Sequence, residues 1–165
     1  MNIPSVFEIG WSDLLVIIFI VVILYRFFIK KTEIRLPEVK QLAPMRKRDF
    51  TLRQLREFNG NDNERILLAI CGRVFDVTRG KDFYGPGGPY GILAGRDATR
   101  ALATMQLEHV SDDYEDWNQL PQAEKSEAME WCQRLSLKYP QVGRLIADSD
   151  TPLDYNDELA SLDPF

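Results

Sequence analysis

The sequence predicts an α+β domain carried behind a single N-terminal membrane-spanning helix. Three observations lead there. One is a long apolar run close to the N-terminus. Another is a set of short β-branched stretches mixed with short amphipathic ones, without βαβ spacing. The last is a glycine-rich segment too irregular to join either. At 165 residues the chain holds one domain plus attachments and can bury a core of its own. An apolar share of 45% and a charged share of 27% exclude wholesale disorder. Two cysteines exclude a disulfide-dense scaffold and a four-cysteine zinc site, and one histidine excludes any bis-histidine metal site within a single chain.

The membrane segment is read first. Leu14–Tyr25 runs LLVIIFIVVILY without a charge, and Phe27-Phe28-Ile29 continues it beyond Arg26. A span from Ile9 to Ile29 gives about 31 Å of helix, which matches a bilayer core. Trp11 and Tyr25 stand where interfacial anchors belong. A cleavable signal peptide fits poorly, because acidic rather than basic residues precede the run and no A-x-A-like site follows. All-round Ile/Val/Leu at this length also disfavours a buried core helix. No Lys or Arg precedes the run, whereas Arg26, Lys30, Lys31, Arg35 and Lys40 follow it. The positive-inside rule then leaves residues 1–8 lumenal and the large C-terminal part cytosolic.

The net charge of −5 conceals a segregation along the chain. Residues 26–48 carry eight Lys/Arg against Glu33 and Glu38, whereas residues 49–165 carry 12 Lys/Arg against 21 Asp/Glu. Residues 30–48 therefore read as a basic juxtamembrane linker, interrupted by Pro37 and Pro44, with Arg46-Lys47-Arg48 either solvated or near anionic headgroups. The acidic soluble part disfavours nucleic-acid binding.

Residues 49–146 form the domain, and residues 147–165 an acidic tail expected to fray beyond Ile146. Thr51 is placed to cap a short helix carrying Leu52, Leu55 and Phe58 on one face and ending at Gly60. Arg65–Thr78 (RILLAICGRVFDVT) reads as a hairpin turning at Cys71-Gly72. Gly80–Gly95 holds six glycines and two prolines in 16 residues and reads as largely loop. A helical pattern spans Asp97–Leu107. Pro121 opens another, with Ala128, Trp131, Cys132 and Leu135 as its apolar stripe. Leu135, Leu137 and Tyr139 alternate, which suggests a strand before Pro140.

Several chemistries are excluded by spacing. The glycine-rich segment contains no G-x-x-x-x-G-K-[ST], and its glycines do not form G-x-G-x-x-G between a strand and a helix. No G-x-S-x-G or H-E-x-x-H occurs. The acidic run Asp112–Asp116 lacks calcium-loop spacing and reads as a solvated face. Cys71 and Cys132 lie too far apart for a metal motif and read as buried or free thiols. The glycine-rich segment does carry Tyr84 and Tyr90, for which packing against tight turns is a sufficient structural account.

The residues around those tyrosines carry a resemblance. Asp49-Phe50-Thr51, Gly72–Thr78 (GRVFDVT), Phe83-Tyr84-Gly85-Pro86, Gly88-Pro89-Tyr90-Gly91, Ala94–Arg100 (AGRDATR) and Leu137-Lys138-Tyr139 resemble the membrane-associated progesterone receptor family. That family is a branch of the cytochrome b5-like haem/steroid-binding domains. The resemblance covers about 100 residues and implies short helices standing on a small sheet around a pocket for haem b. The cytochrome b5 loop that carries an axial histidine reads Gly85-Pro86-Gly87-Gly88-Pro89-Tyr90 here. The family's tyrosine ligand matches Tyr90. Tyr84, Lys138 and Tyr139 match positions that contact the haem: Tyr84 by a hydrogen bond near the ligand, Lys138 by pairing a propionate or the phenolate, and Tyr139 by a further hydrogen bond.

Further expectations follow from the resemblance. The implied role is a non-enzymatic haem-binding adaptor of the endoplasmic reticulum membrane that regulates cytochrome P-450 monooxygenases, acts in sterol metabolism or delivers haem. A steroid- or sterol-binding receptor component is the alternative, and a cytochrome b5-like electron carrier the second. With Tyr90 as sole ligand, one haem face stays open for a haem-dependent homodimer. His109 stands near the second cytochrome b5 histidine in sequence but lies in a polar stretch and reads as a surface residue. The Tyr155-Asn156-Asp157-Glu158 segment resembles an acidic tyrosine segment of the family with Asn156 in place of a serine, so only Tyr155 stands as a phosphorylation candidate.

Overall fold

The structure is a computed structural model. It describes residues 10–29 and 42–162, without the side chains of residues 12 and 24–29. The chain divides into two compact units, Met1–Lys40 and Gln41–Phe165. In the first, helix α1 (Trp11–Ile29) has Asp13 in its first turn, whose carboxylate accepts the Gly10 N–H at 3.1 Å. Every described apolar side chain from Leu14 to Ile23 is exposed. Among the described residues, no helix is long and apolar enough to cross a membrane. The described side chains of α1 stop at Ile23, so the expected span of 9–29 lies partly outside the described residues.

The second unit is built on a three-stranded antiparallel sheet, β1 (Leu67–Ile70), β2 (Arg73–Asp76) and β3 (Gln141–Arg144), in that spatial order. β1 and β2 form the expected hairpin, with Leu67 opposite Asp76 and Ile70 opposite Arg73. Cys71 (φ 50°) and Gly72 (φ 70°) both take left-handed backbone, the requirement of a two-residue turn that matches strand twist. The sheet separates two hydrophobic clusters. Leu68, Ile70, Phe75 and Val77 pack with Ala98, Ala101, Leu102, Ala128, Cys132 and Leu135. Leu67, Ala69, Val74 and Val142 pack on the other side with Phe50, Leu55, Phe58 and Leu145.

Four short helices complete the unit. α2 (Leu52–Arg56) starts with a capping box in which Thr51 Oγ1 accepts the Gln54 N–H and the Gln54 amide returns to the Thr51 N–H. It ends one turn before Gly60, and Phe58 reaches the core from the following turn. α3 (Lys81–Tyr84) follows a 3-10 turn at Thr78–Gly80, and a second 3-10 turn covers Gly91–Leu93. The segment read as largely loop is thus a chain of tight helical turns joined by glycines. α4 (Thr99–Thr104) is shorter than the predicted 97–107, because Met105 adopts left-handed backbone and stops it. α5 (Gln122–Ser136) begins after Pro121 and buries Ala128, Cys132 and Leu135, with Trp131 half-buried, as the stripe predicts.

Two Asp-x-Thr turns hold the ends of β1. Asp76 accepts the Thr78 N–H at 3.0 Å, and Thr78 Oγ1 accepts the Ile66 N–H at 3.0 Å. Asp97 accepts the Thr99 N–H at 3.0 Å, and Thr99 Oγ1 accepts the Cys71 N–H at 2.9 Å. Each aspartate also takes its threonine's hydroxyl proton. Asp76 is further paired with Arg65 at 2.8 Å.

Three expectations need correction. The strand predicted from Leu135, Leu137 and Tyr139 is not formed: the chain stays helical through Ser136, Leu137 is 72% exposed, and the strand starts after Pro140. Leu135 stands three residues beyond Cys132, so the helical stripe outweighs the local alternation. Proline, which has no N–H to donate, lies just outside the strand.

The tail does not fray as predicted. Residues 153–160 lie along the segment 45–49, with Lys47 N–H donating to Glu158 O at 2.7 Å and Ala160 N–H to Met45 O at 2.8 Å. Asp157 pairs with Arg46 and Glu158 with Lys47, while Ala160 is buried. Opposite charge in the basic segment, together with Asp49, gives the acidic tail a docking strip. Finally, the Asp112–Asp116 run is more than a solvated face. Asp112 binds Arg56 at 2.8 Å and Arg96 at 3.2 Å, and Glu115 binds Arg100 at 2.9 Å.

Candidate functional site

The turns from Thr78 to Leu93 owe their shape to backbone packing. A Cβ on Gly88 would lie 2.5 Å from the Phe83 carbonyl oxygen, and one on Gly91 would lie 2.6 Å from that of Gly85. Only glycine lets these turns approach so closely. The Tyr90 N–H donates to Phe83 O at 2.9 Å, which closes the segment into one compact platform.

Three tyrosines meet on it. The Tyr84 ring lies 5.9 Å from that of Tyr90 in a tilted arrangement, and 5.9 Å from that of Tyr139, edge to face. Both separations suit favourable aromatic contact. Tyr139 arrives from the turn that ends α5, where its N–H donates to Leu135 O at 2.7 Å. Its hydroxyl packs on Gly80, where a Cβ would come within 2.5 Å of it. Tyr139 is buried, and Tyr84 and Tyr90 are half-buried.

Lys138 is exposed, with Nζ 5.7 Å from the centre of the Phe83 ring and 5.6 Å from that of Tyr139. The structure therefore brings Tyr84, Tyr90 and Tyr139 into one cluster and sets Lys138 at its edge. Burial first, then the neighbouring Tyr139 and Tyr90, push the Tyr84 phenol up to about 12. Tyr84 therefore resists ionisation more than an ordinary tyrosine and remains a hydrogen-bond donor well above neutral pH.

The remaining candidates lie elsewhere. His109 is exposed on the turn after α4, its N–H donating to Gln106 O at 3.0 Å. Cys71 and Cys132 are buried free thiols, as expected. Their mutual contact and burial hold Cys71 protonated. Among the described residues, no group of three or more His, Cys, Asp or Glu side chains is placed to hold a metal ion.

Residues 51–146 match the family described as the cytochrome b5-like haem/steroid binding domain. The chain belongs to that family. Within it the chain falls among the membrane-associated progesterone receptor proteins. Membrane-associated progesterone receptor component 2 of Homo sapiens is 50% identical over 119 residues, covering 71% of this chain and 53% of the human protein. The chain therefore spans about half the length of that relative. The cytochrome P450 regulator dap1 of Schizosaccharomyces pombe is 39% identical over 106 residues, 61% of this chain and 64% of the relative. A solution structure of an Arabidopsis protein described as a candidate steroid-binding protein is 44% identical, with a TM-score of 0.54. It covers 64% of this chain and 100% of its own, so a domain of this span folds as a chain by itself. These relatives are named as receptor components, regulators and steroid-binding proteins rather than enzymes.

The residues present fit a haem held by oxygen ligation. The cluster offers three phenols, of which the most buried ring rests on the core, the central one stays protonated and the third, Tyr90, stands half-exposed. An exposed cation stands beside them. A histidine pair is not available, since His109 is the single histidine. The sequence pointed to the cluster only through the family resemblance of the residues around Tyr84, Tyr90 and Tyr139. Sequence reasoning missed Asp49, whose buried carboxylate gathers Arg144, Leu153 and Tyr155, because that network depends on a tail contact more than 100 residues away.

Proposed function

We propose that this chain is a membrane-anchored haem-binding regulator whose haem b is held by the phenolate of Tyr90. The observation that carries this reading is the Tyr84–Tyr90–Tyr139 cluster on a cytochrome b5-like fold that lacks a histidine pair. When bound, haem b supplies a ferric centre for which a phenolate is a hard, anionic ligand that favours the oxidised state. Tyr90 provides that ligand. Tyr84, kept protonated by burial, donates a hydrogen bond toward it, and Tyr139 braces Tyr84 from the core side. Lys138 offsets anionic charge, from either the phenolate or a propionate.

The low potential that follows from anionic ligation suits a regulator or haem-delivery protein better than an electron carrier. The name of the fission-yeast relative supports cytochrome P-450 monooxygenases as the partners; sterol metabolism is the proposed setting. An open haem face allows a haem-dependent homodimer. Residues 9–29 serve as the single membrane span, with residues 1–8 lumenal and the domain on the cytosolic side of the endoplasmic reticulum. The exposed apolar surface of α1 from Leu14 to Ile23 supports the membrane contact but not its orientation, which rests on the basic residues that follow the run.

A second reading, a steroid- or sterol-binding receptor component, is favoured by the names of the relatives. Residues 41–165 reconstituted with haemin distinguish the two. A tyrosinate-type ferric spectrum that disappears in Tyr90→Phe supports the first reading. An unchanged spectrum in that variant removes Tyr90 as ligand. A six-coordinate low-spin spectrum lost in His109→Ala would assign the iron to histidine instead.

A further inference from the structure

A recess of about 920 Å³ opens beside β2 and β3, and its lining includes Tyr139 of the tyrosine cluster. Its geometry originates in an irregularity of the sheet. Phe75 faces Gln141 across the β2–β3 pair, but Val74 faces Gly143 and Arg73 faces Arg144, so Val142 is an extra residue. Regular alternation from Gln141 would send Arg144 to the opposite face. The bulge instead turns it onto the face of Arg73 and Phe75, and all of these line the recess together with Gln141. Bulges commonly re-aim a side chain at a site in this way.

The result is two arginines directly opposite each other on neighbouring strands, an arrangement that works against sheet stability. Asp49 engages the Nε–Nη2 edge of Arg144, at 3.2 and 2.7 Å, from outside the recess lining. Aromatic side chains line the same recess. The Trp117 indole nitrogen stands 3.3 Å from the point where a Cβ on Gly72 would lie, so the indole closes down on the hairpin turn. Tyr114 stands exposed beside it. The lining also carries two carboxylates: Asp116 accepts from the Asn118 backbone and amide, and Asp150 from the Ala147 N–H.

We propose that this recess binds an amphipathic organic anion, with Arg73 and Arg144 at its acid group and Trp117 against its ring system. The body is aromatic or alicyclic and the acid a sulfonate, sulfate, carboxylate or phosphate. Pairing of guanidinium groups with such acids is strong and directional, and a recess of this size accommodates a small organic molecule. The site is distinct from Tyr90, and the proposal does not depend on haem. Tyr139 is shared: it lines the recess and also packs against Tyr84.

The test uses residues 41–165 without haem and 8-anilino-1-naphthalenesulfonate as the probe. Its neutral counterpart, N-phenyl-1-naphthylamine, reports on the aromatic body alone, and cholate serves as an alicyclic carboxylate competitor. Fluorescence titration should show one saturable site. Affinity should fall about tenfold in Arg73→Met and rise about threefold in Asp150→Asn, because the mouth loses an opposing charge. The gain in Asp150→Asn counts only alongside a parent-like melting temperature, because apolar surface exposed in a loosened variant also binds the probe. In amide NMR spectra the Trp117 indole N–H should be displaced, and Tyr90→Phe should bind the probe as the parent does. Cholate should displace the probe, and failure to displace it would overturn the alicyclic part of the proposal. Unchanged affinity in either charge variant, equal affinity for the neutral counterpart, or displacements confined to Phe83 and Ile92 would overturn the proposal.

Discussion

Replacing Asp49 by asparagine tests how the tail is fastened to the domain. The Asp49 side chain is fully buried, yet it accepts from Arg144 at 2.7 Å, from the Leu153 N–H at 2.9 Å and from the Tyr155 hydroxyl at 2.5 Å. Burial alone raises the carboxyl, but these donors and the Arg144 charge outweigh it and bring it from the ordinary 3.8 to about 2. That depression corresponds to about 2 kcal/mol of native-state stability. Because the folded value lies below the unfolded one, the contribution is complete above about pH 4 and disappears as pH falls toward 2. Asparagine keeps one acceptor oxygen but no charge. Arg144, 43% exposed, regains water, which keeps the loss below the 3–5 kcal/mol typical of a broken buried pair. Urea denaturation of residues 41–165 should show the variant about 2 kcal/mol less stable at pH 7, with the gap narrowing between pH 4 and 2. A gap below about 0.5 kcal/mol at pH 7, or one that persists undiminished at pH 2, would refute this account of the network.

Other expectations follow from single contacts. Thr51→Ala removes the acceptor of the α2 capping box and should lower stability by about 1 kcal/mol, read from the denaturation midpoint. Gly143→Ala should cost about 3 kcal/mol or more, because the added Cβ would fall inside contact distance of the Arg48 backbone carbonyl. Circular dichroism during thermal unfolding would detect it, and an unaltered melting temperature would contradict the close approach. Tyr84→Phe should weaken haem binding without abolishing the tyrosinate-type spectrum, in contrast to Tyr90→Phe. Loss of the entire spectrum in Tyr84→Phe would make Tyr84 the ligand.

Where the sequence was informative, the reason was local. The α2 capping box involves residues three apart, and the β1–β2 turn is set by Cys71 and Gly72. The α5 stripe repeats at helical spacing. The tyrosine cluster was legible only through resemblance, since no periodicity joins Tyr84 and Tyr90 to Tyr139 some 50 residues later. Misreadings arose where two local signals competed or a distant partner decided the outcome. Leu135, Leu137 and Tyr139 satisfy an alternation, but Leu135 also completes a helical face, and packing on Cys132 and Ala128 wins. The tail looks disordered by composition because its partners, Arg46, Lys47 and Asp49, are remote in sequence. The β2–β3 bulge left no composition signal, so the two opposed arginines were not foreseen.

The motif residues divide into two kinds by what they touch. Asp76-x-Thr78 and Asp97-x-Thr99 fix opposite ends of β1, so these parts of the resemblance are explained by folding alone. Gly88 and Gly91 likewise serve the backbone, since any side chain there would collide with the carbonyl of Phe83 or of Gly85, earlier in the same segment. None of these contacts involves the ring of Tyr90. The platform can therefore keep its shape while the side chain it presents changes from one cytochrome b5-like protein to another. Tyr84 is different, because it touches both Tyr90 and the core-facing Tyr139 and is buried enough to remain protonated. On the proposed reading, in which Tyr90 ligates haem as a phenolate, the burial of Tyr84 opposes a second phenolate there. Chemistry in this fold thus resides in a few side chains placed on a backbone whose geometry does not depend on them.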